Sequence, residues 1–486
     1  MPSRINIWGW LILAVSLVGL LLRVEHAFTF DQAQRASDYQ VHLDGVRFVQ
    51  QRWQAFYLTA AVPFQVRSDP PLWYFLSALL LTLRDDPRLL ALLSVLAWVL
   101  RHALLWRLLH EALPSQPLSR LAALSIHAVL PLSVLIDGKA NAEGLYAGLF
   151  FAALYALWRI ERQCRQPGRV SIVVGAAFGA LAALALLAKL TGGMLLVIGF
   201  AVFAWAAFGR AQLVGTNAAG RALLRPALAA GVMWCAVAGS WSSTNVQKFN
   251  HPFPHVWQLA PPSGAEAAAN PRLYGRPLGW ALPLEWREYW DLPILRSPSE
   301  PRPNFWATQI AGTWSDIYNR GFCRLTGGPR NDRVWGAKHG FLSMPTGVDA
   351  WSVSQRCIDW FAGMLRVGVW LTVVSLIALL WCFWQALWSR GTRGSLALTI
   401  TPFMCTASAF WLALAYPFDN TAVTNPRYLL AQVTPMCACL GLGLAQLEGL
   451  ASRKGRAARL AAATLWAVIG CIAAIGCMLM FIRFGK

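Results

Sequence analysis

Charge is scarce in this chain. Asp, Glu, Lys and Arg together make up 13% of 486 residues, where soluble domains average about 25%. Hydrophobic residues make up 57%, and so little polar surface could not cover a water-soluble fold of this length. Acidic residues are the scarcer sign, 22 against 42 Lys and Arg, which leaves a net charge of +20. Sequence motifs of soluble enzymes are also missing. There is no GxxxxGK[ST] phosphate loop, no GxGxxG on a strand and no HExxH helix, so no nucleotide-binding module or zinc-protease helix is indicated. No Cys/His spacing resembles a zinc site. No repeat of solenoid length and no inverted-repeat symmetry is visible.

What the chain has in abundance is apolar runs of 15–20 residues, each long enough to cross about 30 Å of hydrocarbon. These dictate an all-α polytopic membrane protein. The basic residues lie in short loops between the runs, with no stripe and no recognition motif, so nucleic acid is excluded as a partner. Met1 to Arg4 and the apolar run to Leu22 resemble a signal peptide. However, Arg23-Val24-Glu25-His26 offers no cleavage site, and an uncleaved first helix is expected.

Spans are expected at 6–23, 88–109, 119–136, 143–159, 170–188, 190–208, 224–241, 360–388, 395–416, 427–447 and 460–482. Positive charge collects in loops 107–120, 159–169, 209–225, 389–393 and 448–459, and all five fall on one side if these eleven runs cross. The amino terminus is then cytoplasmic and the carboxyl terminus external. Residues 71–84 are apolar but short, which suits a juxtamembrane helix lying at the interface. The resulting plan has a transmembrane core over 1–241 with a first external loop at 24–87. A large external region over 242–358 follows, and 359–486 supply the last membrane helices. Arg101 and Arg366 sit within apolar runs, where snorkelling is expected. Gly144-x-x-x-Gly148 and Gly175-x-x-x-Gly179 have the spacing of close helix contacts.

Of ten cysteines, seven lie in or beside apolar spans and Cys164 falls in a basic loop. Cys323 and Cys357 share the external region, where an oxidising compartment would join them in a disulfide, with two separate thiols as the alternative.

Polar groups gather at the external ends of the spans. Asp31, Arg35 and Asp38 follow the first span at helical offsets of four and seven. Their bland reading is an N-cap with an ion pair. Asp137, Asn141 and Glu143 follow the third span, where capping is again the alternative, and Asp69 precedes Pro70-Pro71 before the interfacial helix. Lys189 interrupts two apolar runs, and alone it would simply snorkel. Arg427-Tyr428 opens the tenth span. Lys189 and Arg427 together could grip a phosphate at the headgroup level.

These landmarks, in this order, resemble the GT-C glycosyltransferases, in particular the protein O-mannosyltransferase and aminoarabinose-transferase-like branch. Asp31-Gln32-Ala33-Gln34-Arg35-Ala36 is similar to that family's acidic motif after the first helix. Pro70-Pro71-Leu72-Trp73-Tyr74 is similar to its Pro-Pro-Leu-Tyr-Tyr-like segment. Glu143, Lys189 and Arg427-Tyr428 match its acid at the fourth helix, its Lys after the fifth and its late Arg-Tyr. Gln32 and Gln34 depart from the pattern, as does Asp69 before the prolines.

The resemblance implies a GT-C-like bundle of about eleven transmembrane helices with juxtamembrane helices and a large external loop. The activity it implies is transfer of a sugar from a polyprenyl-phosphate donor to an acceptor hydroxyl of a glycolipid, polysaccharide or protein. Asp31 inherits the role of base, with Glu143 as a supporting carboxylate. Lys189, Arg427 and Arg35 would bind the donor phosphate, supported by Asp38, Asp69, Asp137, Asn141 and Tyr428. A divalent metal is left open as cofactor. The expected location is a bacterial inner membrane, with the site on the periplasmic face and membrane lipids as the surroundings. Two other functions fit the same spans, a lipid-linked sugar flippase and a non-catalytic assembly factor with this fold.

Overall fold

The structure, a computed structural model, describes residues 7–29, 39–52, 70–166, 170–253, 305–315, 355–388, 394–415 and 426–484. Among these residues there are fifteen α-helices and no strand. In chain order they are α1 Ile7–Thr29, α2 Tyr39–Arg52, α3 Leu72–Leu83, α4 Leu90–Ala112, α5 Pro117–Val129, α6 Pro131–Asp137, α7 Ala142–Cys164, α8 Ile172–Ala188, α9 Met194–Val214 and α10 Thr216–Phe249. They continue as α11 Phe305–Trp314, α12 Gln355–Trp388, α13 Leu396–Ala415, α14 Leu430–Ala451 and α15 Arg456–Phe484.

Each of the eleven expected spans coincides with helix. Seven helical stretches are long and apolar enough to cross a membrane, or eight when α5 and α6 count as one broken span. The other three are α7, α8 and α13, and for the first two the reason is visible. Helix α7 carries Glu143, Arg159, Glu161 and Arg162 and is buried along most of its length. Its composition therefore answers to protein neighbours rather than to lipid. Helix α8 is 17 residues long, about 26 Å at 1.5 Å per residue, because Lys189 ends it.

Several boundaries differ from the sequence reading. Helix α10 runs 34 residues to Phe249, past the expected start of the external region, and α12 likewise runs 34 residues. Loop 209–225 is almost wholly helical, broken only at Gly215 with φ 83°. Arg210 stays in α9 because its guanidinium reaches back to the carbonyls of Gln163, Cys164 and Gln166 at 3.3–3.4 Å, closing the carbonyl end of α7. Cys164, expected in a loop, is the buried last residue of that helix.

The short helix expected over 71–84 is present as α3. Its 12 residues reach about 18 Å, too short to span. It packs on the amphipathic α2 through Leu43, Val46, Val49, Trp73 and Tyr74, and Ala140 joins the same cluster. The two glycine pairs make the expected close contacts. A Cβ on Gly144 or Gly148 would meet Ser94 or Ala97 of α4 at 2.5 and 2.7 Å. On Gly175 or Gly179 it would meet backbone oxygens of Pro226 and Ala230 in α10 at 2.3 and 2.0 Å.

At the end of the bundle that carries the basic loops, carboxylates close helix termini. Glu161 accepts from the Ser395 hydroxyl and from the amides of Leu396 and Ala397, at the start of α13. Glu448 accepts from the amides of Leu118 and Ser119 and from the Ser119 hydroxyl, at the start of α5. Both satisfy N–H groups that a helix's first turn leaves without partners.

Candidate functional site

Three separate segments converge at the opposite end of α7. Asn141 has extended backbone and accepts from the Gly144 amide at 3.2 Å, so it is the N-cap of α7. That fixes Glu143 in the first turn, where the helix dipole favours a carboxylate. Lys189 leaves α8 in extended conformation (φ −159°, ψ 137°), and a 3₁₀ turn over Leu190–Gly193 folds the chain back into α9. Arg427 and Tyr428 sit on another 3₁₀ turn, Pro426–Leu429, immediately before α14.

These residues meet. Lys189 Nζ donates to Glu143 Oε1 at 2.8 Å, and Arg427 Nε lies 3.5 Å from the same oxygen. The Tyr428 ring lies beneath both cations, 5.1 Å from Lys189 Nζ and 5.3 Å from the Arg427 guanidinium carbon. The group is neither buried nor open: the side chains of Glu143, Lys189 and Arg427 are 10, 20 and 26% exposed. Two cations face one carboxylate in a half-buried setting, where charges interact more strongly than in bulk water.

A cavity of about 180 Å³ adjoins the Arg427 turn. Its wall is mainly apolar, formed by Phe305 and Trp306 of α11, Leu132 of α6 and Leu429, with the amides of Gln309 and Gln432 and the hydroxyls of Thr313, Thr372, Ser375 and Thr406 as polar points. Above the α6–α7 turn, His42 Nδ1 of α2 lies 2.5 Å from the hydroxyl of buried Tyr74 in α3.

Asp137 is corrected by the structure. Expected among the residues around the site, it is fully buried inside the bundle between Arg23 and Arg101. Arg23 Nε lies 3.2 Å from Asp137 Oδ2, and Arg101 pairs with the same oxygen. The Ser133 hydroxyl donates to that oxygen at 2.6 Å and accepts from both guanidinium groups at 2.7 and 2.8 Å. Arg23 also donates to the carbonyls of Gly19 and Ala128 and lies 4.1 Å from the Trp98 ring. Arg101 therefore does not snorkel; Arg366 does stand exposed.

This arrangement depends on the bend in the third span. Leu130 precedes proline and is extended (ψ 120°), and α5 and α6 meet at 50°. The bend turns Ser133 and Asp137 toward α1 and α4. It then delivers the turn at 138–141, with Gly138 pressed against His26, to the head of α7. The sequence reading missed this triad. The available signal was Arg23 at the end of an apolar run, two helical turns ahead of Asp31.

Of the expected site residues, the structure brings together Glu143, Lys189, Arg427 and Tyr428, with Asn141 holding the first. Asp31, Arg35, Asp38, Asp69 and the side chains of Cys323 and Cys357 lie outside the described residues. Among the described residues, no group of three or more His, Cys, Asp or Glu side chains is placed to hold a metal ion.

Compared with solved structures, the chain is similar to the oligosaccharyltransferase of Archaeoglobus fulgidus in its apo form. The TM-score is 0.55 at 13% identity, covering 98% of this chain and 56% of that one. It is also similar to ArnT of Cupriavidus metallidurans bound to undecaprenyl phosphate, with TM-score 0.38 at 13% identity, covering 92% and 80%. At a TM-score of 0.55 the first likeness establishes a shared fold. The chain spans a little over half the length of that oligosaccharyltransferase. No protein-family model and no curated protein matches the sequence.

Proposed function

This chain is an integral membrane protein with the GT-C fold, and from that premise we propose that it is a membrane glycosyltransferase that takes a sugar from a polyprenyl-phosphate donor. The observation that carries the proposal is the meeting of Lys189, Arg427 and Tyr428 on Glu143 at one end of the bundle. The polyprenyl-phosphate donor itself rests on the order of motifs from Asp31 to Arg427.

In the proposed reaction, an acceptor hydroxyl attacks the anomeric carbon while the bond from that carbon to the phosphate oxygen breaks. Asp31 takes the hydroxyl proton, and negative charge grows on the departing lipid phosphate. Lys189 and Arg427 stabilise that charge, and Glu143 keeps both cations oriented before the donor arrives. The Tyr428 ring limits the positions the two cations can adopt. The apolar cavity beneath Leu429 offers adjoining space for the donor's isoprenoid chain. The acceptor is a glycolipid, polysaccharide or protein hydroxyl. The site would face the periplasm of a bacterial inner membrane, opposite the basic loops.

The test is transfer by purified protein from a panel of polyprenyl-phosphate sugars. Wild type should transfer at least one of them, and Asp31→Asn should abolish transfer while donor binding persists. Equal transfer by Asp31→Asn and wild type would remove Asp31 as the base.

One observation favours the flippase reading, because Arg101 stands midway along α4 and transporters place charge near the midplane. Arg23, Arg101 and Asp137 are, however, fully buried against one another. Neither the cavity beneath Leu429 nor the one at the basic end is lined by them. Lipid-linked sugar crossing a vesicle bilayer with no transfer product would support that reading instead.

A further inference from the structure

A second cavity, of about 370 Å³, lies at the end of the bundle that carries the basic loops. It is formed where α7 ends, between the last turns of α9 and α12. Glu161 comes from α7, Arg165 is the residue that caps its carbonyl end, Trp205, Phe208 and Arg210 come from α9, and Trp388 from α12. Nothing in the proposed transfer reaction uses it, since about 27 Å of α7 separates Glu143 from Glu161 at 1.5 Å per residue.

Its chemistry is lopsided. Two guanidinium groups line it against one carboxylate. That carboxylate is turned toward the start of α13 by the Ser395 hydroxyl and the amides of Leu396 and Ala397. Arg210 is 5% exposed and anchored on the carbonyls that end α7, so it adds positive potential from the cavity's inner side. Arg165 is half-buried.

The aromatic side chains point to the ligand's other half. Phe208 and Trp388 are 59 and 64% exposed, and the same helices turn Phe200 of α9 and Trp384 of α12 outward. Trp205 stacks on Phe208, and Trp384 on Trp388. Aromatic rings at helix ends mark the headgroup level of a bilayer. A cationic recess flanked by such rings has the composition of an anionic-lipid site.

We propose that this cavity binds the phosphate headgroup of an anionic glycerophospholipid, with Arg165 contacting the phosphate and Trp205, Phe208 and Trp388 packing against the glycerol and upper acyl chains. A soluble phosphate ester would gain nothing from the outward-facing rings, whereas a lipid uses both halves of the site.

The experiment is native mass spectrometry of the full-length protein titrated with phosphatidylglycerol, phosphatidylcholine or inorganic phosphate. Two variants accompany wild type. Arg165→Gln removes the proposed phosphate contact. Gly209→Leu fills the cavity from its own wall, at a position where an added Cβ meets nothing within 4 Å, and melting temperature verifies its fold. Arg165→Gln should raise the phosphatidylglycerol concentration for half-occupancy about fivefold, the scale expected for one arginine near a charged surface. Gly209→Leu should eliminate the retained lipid, and phosphatidylcholine should bind weakly to all three proteins. The proposal is overturned if both variants retain phosphatidylglycerol like wild type, if phosphatidylcholine is held equally well, or if millimolar inorganic phosphate displaces the lipid from wild type.

Discussion

Lys189 and Glu143 stand 46 positions apart in the chain and meet through a 2.8 Å bond. Lys189 closes α8 and Glu143 opens α7, so the carbonyl end of one helix and the amide end of the helix before it supply opposite fields to the same pair. Arg427 enters from a third segment and shares the same carboxylate oxygen. The meeting of two cations at one half-buried point is what makes the group a candidate for anion stabilisation.

Removing the closest cation should be costly to transfer and tolerable for folding, because Lys189 is partly exposed and Arg427 remains beside Glu143. Lys189→Ala is expected to lower the rate of sugar transfer by about 100-fold, the usual scale for losing one transition-state charge donor. Initial rates at saturating donor check this. Glu143→Gln should act chiefly by freeing the two cations to wander, with Lys189→Arg recovering part of what Lys189→Ala loses.

Asp137→Ala should be the more damaging change to stability. It leaves Arg23 and Arg101 buried without their carboxylate, and breaking a buried pair in this way costs about 3–5 kcal/mol. Thermal unfolding in detergent should show a clear fall in Tm. Adding Arg101→Met to Asp137→Ala should recover part of the loss, since one uncompensated charge is then removed.

Helix packing gives a sharp contrast between glycines. Gly179→Leu is expected to abolish assembly, because even a Cβ there would lie 2.0 Å from the Ala230 carbonyl oxygen of α10. Gly470→Ala in α15, where a Cβ meets nothing within 4 Å, should leave expression and Tm unchanged or slightly raised. Yield of monodisperse protein measures both.

Sidedness is checked by cysteine labelling. Gln166→Cys, exposed after α7, should react with a membrane-impermeant maleimide only from the cytoplasmic side. Arg84→Cys, exposed after α3, should react only from outside. External labelling at position 166 would invert the bundle and move the Glu143 group to the cytoplasmic face.

Loss of the Glu448 carboxylate tests the basic end. Glu448→Ala leaves the amides of Leu118 and Ser119 without the acceptor that closes α5. A destabilisation of about 1–2 kcal/mol is expected, read as a lower Tm with transfer rate per folded molecule retained.

The sequence by itself determined the class of this protein and most of its helices, because the energetic demand of hydrocarbon on a backbone is local: each span must satisfy its own hydrogen bonds and present apolar side chains. The same locality made Glu143, Lys189 and Arg427 legible as candidates, since a charge at the boundary of an apolar run stands out whatever its partner. Their convergence on one carboxylate, and the pairing of Arg23 and Arg101 with Asp137 across 114 and 36 positions, were decided by tertiary structure alone. A bend of 50° at Leu130-Pro131 sets which helices Asp137 faces. No run of residues announces that choice, because it follows from how α1, α4, α6 and α7 fill space against one another. For that reason Arg101 reads as a snorkelling side chain in the sequence and is a buried partner of Asp137 in the fold.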